Sequence, residues 1–448
     1  MKRIYATLGL TLSITAGLFL MPSFAHSQAW DSVGSGTDKS VNTLYTYGTD
    51  LYAGGSFANA GGSQASRIAL WDGSTWQSVA SGISNAGVWS IASYNSQLYA
   101  GGLFNKAGGN TANNIAALSE GGIWTKLGTG TNLIVYAMAT YNGNLYVGGG
   151  FDSAGGKHVG YIAQWDGTNW SVAGTGVNGY VQAMVVFNSS LYVGGSFDSA
   201  GGIPASGIAE WTGTKWKEVG TGVNGFVSSL VVYNNALYAG GNFTMAGGKI
   251  VNNIAEWNGA GWSALGIGTD NNVASLAVYA GNLYAGGQFI TAGGVLTNHI
   301  AVWNGNNWDD LGTGTNSNVL ALAVYNNTLY LGGQFDSAGG IAANHLASYY
   351  TSPTSINTVN KASINASVFP NPSNGRFFML IDNGESIAGS EKVNVAIYNI
   401  LGERVYAQSS VVNSTLTVDM TSQAAGLYIY KVVGEQNDMI ACGRVVLK

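Results

Sequence analysis

The chain has 448 residues with 17 basic side chains against 22 acidic, a formal net charge of −5, and 67 of its residues are glycine. Only 9% of residues are charged while 46% are hydrophobic and 13 are tryptophan, which excludes disorder, and the glycines have no three-residue period, which excludes collagen. A pI near 5.3 leaves no cationic footprint for a sequence-neutral nucleic-acid binder, so no nucleic-acid partner is expected of this glycine-punctuated β protein.

Lys2 and Arg3 precede an apolar run over 4–21, and Pro22, Ser23, Phe24 and Ala25 then place small residues where a signal peptidase needs them. This predicts a secretory signal peptide over 1–25, cut after Ala25, with Ala29 the next candidate. The alternative, a membrane anchor, needs about 20 apolar residues and usually lacks such a cleavage site. No later segment is long and apolar enough to span a bilayer, so no membrane span is expected after cleavage. Cys442 is the only cysteine, so no intrachain disulfide can form. It is expected to be a buried, inert thiol, because free cysteine packs as a small hydrophobe.

From there the chain repeats itself. Leu-Tyr-x-Gly-Gly-x-Phe recurs at Leu51, Leu98, Leu145, Leu191, Leu237, Leu283 and Leu329, each copy followed by Ala-Gly-Gly. A fixed period of 46 or 47 residues means a solenoid, a propeller or an array. Each unit reads as four short strands. The first is apolar on both faces, as in Val319 to Tyr325, and is expected to be buried on both sides. The second is Leu-Tyr-x-Gly-Gly, the third Ile-Ala-x-Trp and the fourth opens on a tryptophan. Asn-Asn, Asn-Gly and Asp-Gly pairs between strands one and two and between strands three and four supply the positive φ that tight hairpins demand.

A four-stranded sheet cannot bury two apolar faces alone, whereas sheets packed radially face to face can. The third residue of every first strand is small (Thr43, Ser90, Ala137, Ala183, Ser229, Ser275, Ala321), as convergence on one axis requires. Trp30 precedes any first strand, and the seventh unit stops at its third strand near Tyr349. Pairing the spare strand with the incomplete unit leaves no orphan edge to aggregate. The predicted fold is therefore all-β: a seven-bladed β-propeller over 26–350, closed by an N-terminal strand. The double glycine ending strand two, the aromatic of strand three and the tryptophan of strand four resemble kelch-type propellers, and most of all the Leu-Tyr-x-Gly-Gly-x-Phe repeat chains exported by bacteria. That resemblance implies a fold and is silent on activity, since propellers host many functions.

Residues 351–363 read as a Ser/Thr/Asn-rich linker containing Pro353. Beyond it, short alternating runs over 376–381, 393–398, 416–418, 427–433 and 444–447 predict a small C-terminal β-sandwich over 364–448. Val368-Phe369-Pro370-Asn371-Pro372, then Ile397-Tyr398-Asn399-Ile400-Leu401-Gly402, then Gly426-Leu427-Tyr428, occur there in order. This order resembles the type A C-terminal sorting domain of the type IX secretion system of Bacteroidota. The resemblance implies that residues 364–448 engage that secretion machinery, that the chain crosses both membranes, and that it ends up secreted or on the cell surface.

Residues shared by every unit are best explained by the architecture the units share, so candidate site residues are sought where units differ. The loops between strands four and one and between strands two and three are the longer ones, and they emerge at one end of the ring. Variation there singles out Arg67, His158, Tyr161, His299 and His345 as candidate ligand-binding residues. Tyr180 and Phe226 lie just before the first strand, and Trp89 and Tyr136 just inside it. Asp152, Asp198 and Asp336 share one position in three units and are the candidates for a metal or a carboxylate pair. An Asp beside Ser and Gly more often bonds its own backbone in a turn, and loop histidines without a third ligand are more often merely solvated. No catalytic constellation is recognisable, and no cofactor is expected. The copper chemistry of kelch-type oxidases needs a cysteine inside the propeller, and Cys442 lies outside it. The reading is a non-catalytic binding or adhesion module for a glycan or a surface protein. A polysaccharide-acting enzyme built around Asp198 and a structural surface-coat component are the alternatives.

Overall fold

The computed structural model describes residues 28–351, 365–382, 392–399, 403–434 and 439–448. The expected signal peptide and almost all of the expected linker lie outside the described residues. The chain divides into two compact units, 1–352 and 353–448, and among the described residues every regular element is a strand.

Residues 28–351 form seven four-stranded antiparallel sheets, and in six of them the strands follow one another in sequence order. In the fourth of these, for example, Tyr180–Phe187, Ser190–Ser196, Ile208–Trp211 and Trp216–Glu218 pair in turn. Strands one and two turn through paired left-handed residues such as Asn188 and Ser189, or Asn234 and Asn235, the geometry whose twist matches flanking strands. The loop between strands two and three carries a two-residue hairpin of its own in every unit, such as Ser199–Ala200 with Ile203–Pro204. The seventh sheet takes its outer strand from the far end of the chain: Gln28–Ser32 pairs with Leu346–Thr351, Trp30 lying opposite Tyr349.

The Gly-Gly pair is dictated by packing. A Cβ on Gly194 would lie 2.6 Å from Cγ1 of Val227 in the next sheet, and one on Gly332 of the seventh sheet 2.5 Å from Cγ1 of Val41 in the first. The second glycine of each pair has backbone against it, the Ser40 carbonyl oxygen in the case of Gly55. With sheets this close, each apolar cluster draws on two of them. Phe187, Tyr192 and Ile208 of the fourth sheet pack with Val227, Leu237 and Phe243 of the fifth. Ala321, Tyr325, Tyr330 and Leu346 of the seventh pack with Val41 and Leu51 of the first.

Directional bonds repeat between the same neighbours. In every unit but the second, whose Trp124 Nε1 is buried without a partner, the fourth-strand tryptophan donates its indole N–H to a carbonyl of the preceding unit: Trp76 to Val33 at 2.9 Å, Trp170 to Leu127 at 2.8 Å, Trp216 to Ala173 at 3.0 Å. Trp30 does the same for the seventh sheet, donating to Leu311 O at 3.0 Å. The tyrosine ending strand one donates to the hairpin turn of the next unit, Tyr141 to Ser189 O at 3.0 Å and Tyr325 to Thr49 O of the first unit at 2.9 Å.

In the tail, Asn365–Phe369, Arg376–Asp382 and Ser414–Asp419 make a three-stranded sheet, and Lys392–Tyr398, Arg404–Val411, Gly426–Gly434 and Met439–Leu447 a four-stranded one. Both contribute to one core, including Phe377, Met379, Val395, Ile397, Tyr430 and Val445. The strands over 365–369 and 404–411 are additional to the expected runs, the second interrupted by Gln408, Ser409 and Ser410. Cys442 is only half-buried, which is less than expected, and burial pushes its thiol pKa up.

Candidate functional site

The first strand of every unit contains a β-bulge that the sequence pattern does not reveal. Pairing with the second strand skips one residue at the same place each time, between Val41 and Thr43, Val88 and Ser90, Val135 and Ala137, and so on to Val319 and Ala321. A bulge leaves its extra residue out of the ladder and re-aims the side chain. The extra residues are Asn42, Trp89, Tyr136, Gln182, Ser228, Ala274 and Leu320, and all of them line one cavity of about 610 Å³ walled by the seven first strands. The small residues that follow, such as Ser90, Ala137 and Ala183, keep the cavity open. The bulge lies where the first strand begins, just after the loop from strand four, so it opens toward the loop-rich end.

The side chains at this ring are unequal. Asn42, Trp89, Tyr136 and Gln182 sit on consecutive sheets and form a polar and aromatic arc, whereas Ser228, Ala274 and Leu320 on the other three sheets present a hydroxyl, a methyl and an aliphatic chain. Burial, reinforced by the neighbouring Tyr180, raises the pKa of Tyr136, so its phenol stays protonated. Asn42 donates to Val88 O at 3.3 Å, whereas the Gln182 side-chain oxygen is buried without a hydrogen-bond partner. Tyr161 and Tyr180 extend the arc outward, their ring centroids 5.9 Å apart. Trp89, Tyr136, Tyr161 and Tyr180 are thus brought to neighbouring parts of one end.

The remaining expected site residues are dispersed. Arg67 is spent on Asn85 O, to which its Nε donates at 2.7 Å. His158 is exposed on the Lys157–His158 strand of the third unit's small hairpin. Phe226 begins a first strand, its backbone paired with Asn242. His299 and His345 occupy equivalent places in adjacent sheets, each with left-handed backbone (φ 70° and 67°) and each with a buried Nδ1 that has no partner. Burial lowers both pKa values. At the same place, Asn114 and Asn253 use their amides fully: Asn253 Oδ1 accepts from Phe243 N at 3.3 Å and its Nδ2 donates to Thr269 O at 2.8 Å.

Asp152, Asp198 and Asp336 lie in three separate units and are exposed. Each accepts a hydrogen bond from an asparagine of the adjoining loop (Asn132, Asn178 and Asn316), in place of the bond to its own backbone anticipated from the sequence. The Oδ1 of that asparagine in turn accepts backbone N–H groups, two each at Asn178 (from Asp198 and Ser199, at 3.0 Å each) and Asn316, and one at Asn132. Asp38, Asn224 and Asp270 do likewise in other units. This clamp between the two loops has a sequence signal, a Gly-x-Asx ahead of the first strand in six of the seven units, with Ser84 standing in the Asx place of the second. No cluster of three or more potential metal ligands occurs among the described residues.

Two family models match the chain. Residues 367–447 match the secretion system C-terminal sorting domain, and residues 168–320 match the Rax2 C-terminal beta propeller domain. No curated protein matches in sequence. Among solved structures, an alpha-L-arabinofuranosidase from Clostridium thermocellum is similar at 13% identity and a TM-score of 0.25, covering 63% of this chain and 95% of that one. The protein therefore carries a sorting domain of the type IX secretion system behind a β-propeller region, and it is exported, to the cell surface or beyond it. Among the described residues no helix is long and apolar enough to cross a membrane.

Proposed function

We propose that this protein is a seven-bladed, kelch-like propeller, led out by a signal peptide, sealed by its N-terminal strand and delivered by its tail, which acts at the cell surface as a non-catalytic binding module. The observation that carries this reading is the ring of seven bulges. One repeated backbone device aims seven different side chains into a single cavity of about 610 Å³, a size that suits a small ligand or the tip of a larger one. A scaffold that holds its backbone constant while varying only what faces a cavity has the form of a recognition surface.

Hydrolysis of a polysaccharide stands second. Asp152, Asp198 and Asp336 lie apart from one another, each held by an asparagine, and the side chains lining the cavity are amides, hydroxyls, aromatics and aliphatics, with no carboxylate among them. The test is to screen the purified full chain against glycan arrays and panels of surface and matrix proteins, beside adhesion assays on a deletion strain. Saturable binding, with adhesion lost on deletion, is the expected result. Absence of binding on every panel with adhesion unchanged would overturn the proposal. Polysaccharide turnover abolished in the Asp152→Asn, Asp198→Asn double variant would put the enzyme first. Self-association of the purified chain into a lattice would favour a surface coat.

A further inference from the structure

Resting on that reading, we infer that the axial cavity binds one end of a neutral oligosaccharide, held between Trp89 and Tyr136 and fixed by the amides of Asn42 and Gln182. Three observations converge on this class of ligand. None of the residues lining the cavity is an Asp, Glu, Lys, Arg or His, and a buried wall without countercharge penalises any ionised ligand. Two aromatic rings on consecutive sheets offer the flat apolar surface that the C–H face of a pyranose covers. Beside them, Gln182 lines the cavity while its carbonyl oxygen is turned out of reach of solvent with no partner in the fold, so rotating the amide to meet a sugar hydroxyl recovers a desolvation cost. The phenol of Tyr136 stays protonated, so it too can donate or accept.

The asymmetry of the ring gives the ligand a direction. The polar and aromatic contacts fall on the first four sheets, while Ser228, Ala274 and Leu320 on the other side make few directional demands. A sugar ring stacked on the first arc has room to extend toward the loop-rich end, past Tyr180 and Tyr161, so a chain terminus with one or two further residues fits better than a mid-chain segment. A cavity of about 610 Å³ is of the right order for that length.

The experiment is calorimetric titration of the full chain with neutral trisaccharides of glucose, mannose, galactose and xylose, with trigalacturonic acid as the charged counterpart. At least one neutral trisaccharide is expected to bind, and trigalacturonic acid is not. Trp89→Ala is expected to weaken that binding at least about tenfold, Trp89→Phe to restore most of it, and Gln182→Ala to weaken it severalfold. His299→Asn, outside the ring, should leave it unchanged. Ser228→Trp adds bulk to the cavity and removes only the 3.4 Å hydrogen bond from Ser228 to Asn272, and should abolish binding even if Trp89→Ala proves unstable. Binding that is indifferent to both Trp89→Ala and Ser228→Trp, a preference for the charged sugar, or no trisaccharide binding at all would each overturn the inference. If a protein ligand is captured on the panels while no sugar binds, the adhesion reading survives and this one falls.

Discussion

At the scale of single residues, the repeat acts as its own control, because seven copies of a position show what each substitution does in nearly the same surroundings. Six units end their first strand in a tyrosine. The fourth ends in Phe187, which is buried but has no hydroxyl to give to the turn of the next unit. Its counterparts Tyr141 and Tyr233 donate to Ser189 O and Gly281 O, both at 3.0 Å. Phe187→Tyr should recover that bond to the turn at Asn234 and Asn235, raising stability by about 1 kcal/mol in denaturant unfolding. The histidines are the converse case. His299 and His345 stand where Asn114 and Asn253 satisfy two backbone groups, and burial lowers their pKa values below the ordinary 6.5. The folded chain therefore refuses protons that the unfolded chain accepts. Stability should fall as pH drops below about 6.5, and level off only once the folded histidines protonate. The His299→Asn, His345→Asn double variant should flatten the melting temperature between about pH 7 and pH 5, and an unchanged slope would show that those histidines are not its source. The sequence drew attention to these positions because they vary. It could not show that what they share is a left-handed backbone, since Arg67, Tyr161 and His345 have no residue type in common.

At the scale of the element, the four strands of each unit were legible because their apolar spacing and turn residues are local signals. The bulge in the first strand was not. Val-Leu-Ala-Leu-Ala-Val-Tyr over 319–325 is apolar at almost every place, so nothing in its pattern marks Leu320 as the residue left out of the ladder. The small hairpin inside each strand two to three loop escaped for a different reason. Two residues on a side are too few to show a period, and its position is set by contacts such as the bridge between Val177 and Ala200. The double glycine could be placed at the end of strand two from sequence, whereas its cause, the valine of the next sheet, is a property of packing. Gly194→Val tests that cause directly. Its Cβ would fall 2.6 Å from Val227 Cγ1, with sheet on both sides and no room to retreat. Overpacking of this kind should cost about 2–3 kcal/mol, read as a lower melting temperature. Gly202→Ala, with nothing within 4 Å of its Cβ but a φ of +80°, should cost less and by backbone strain alone.

At the scale of the whole propeller region, everything argued about the cavity depends on its wall being continuous, and the join lies between the two ends of the repeat array. The chain supplies three kinds of contact there. Gln28–Ser32 pairs with Leu346–Thr351, Trp30 donates to Leu311 O and stacks edge-on against Tyr349 with centroids 5.1 Å apart, and Tyr325 reaches Thr49 O. Each matches a contact that ordinary neighbours make, such as Trp308 donating to Leu265 O at 2.8 Å with its ring 5.4 Å from Trp303. If the N-terminal strand seals the ring as the fourth strand of a seventh blade, Trp30 has the same work to do as Trp308. Trp30→Ala and Trp308→Ala should then lower stability by similar amounts, about 3 kcal/mol. Both should also weaken any ligand held in the axial cavity, because a gap at one blade relaxes the first strands that wall it. If the N-terminal strand merely rests on a stable open arc, Trp30→Ala would leave the melting temperature unchanged while Trp308→Ala lowers it. That result would remove the continuous wall on which the binding reading stands.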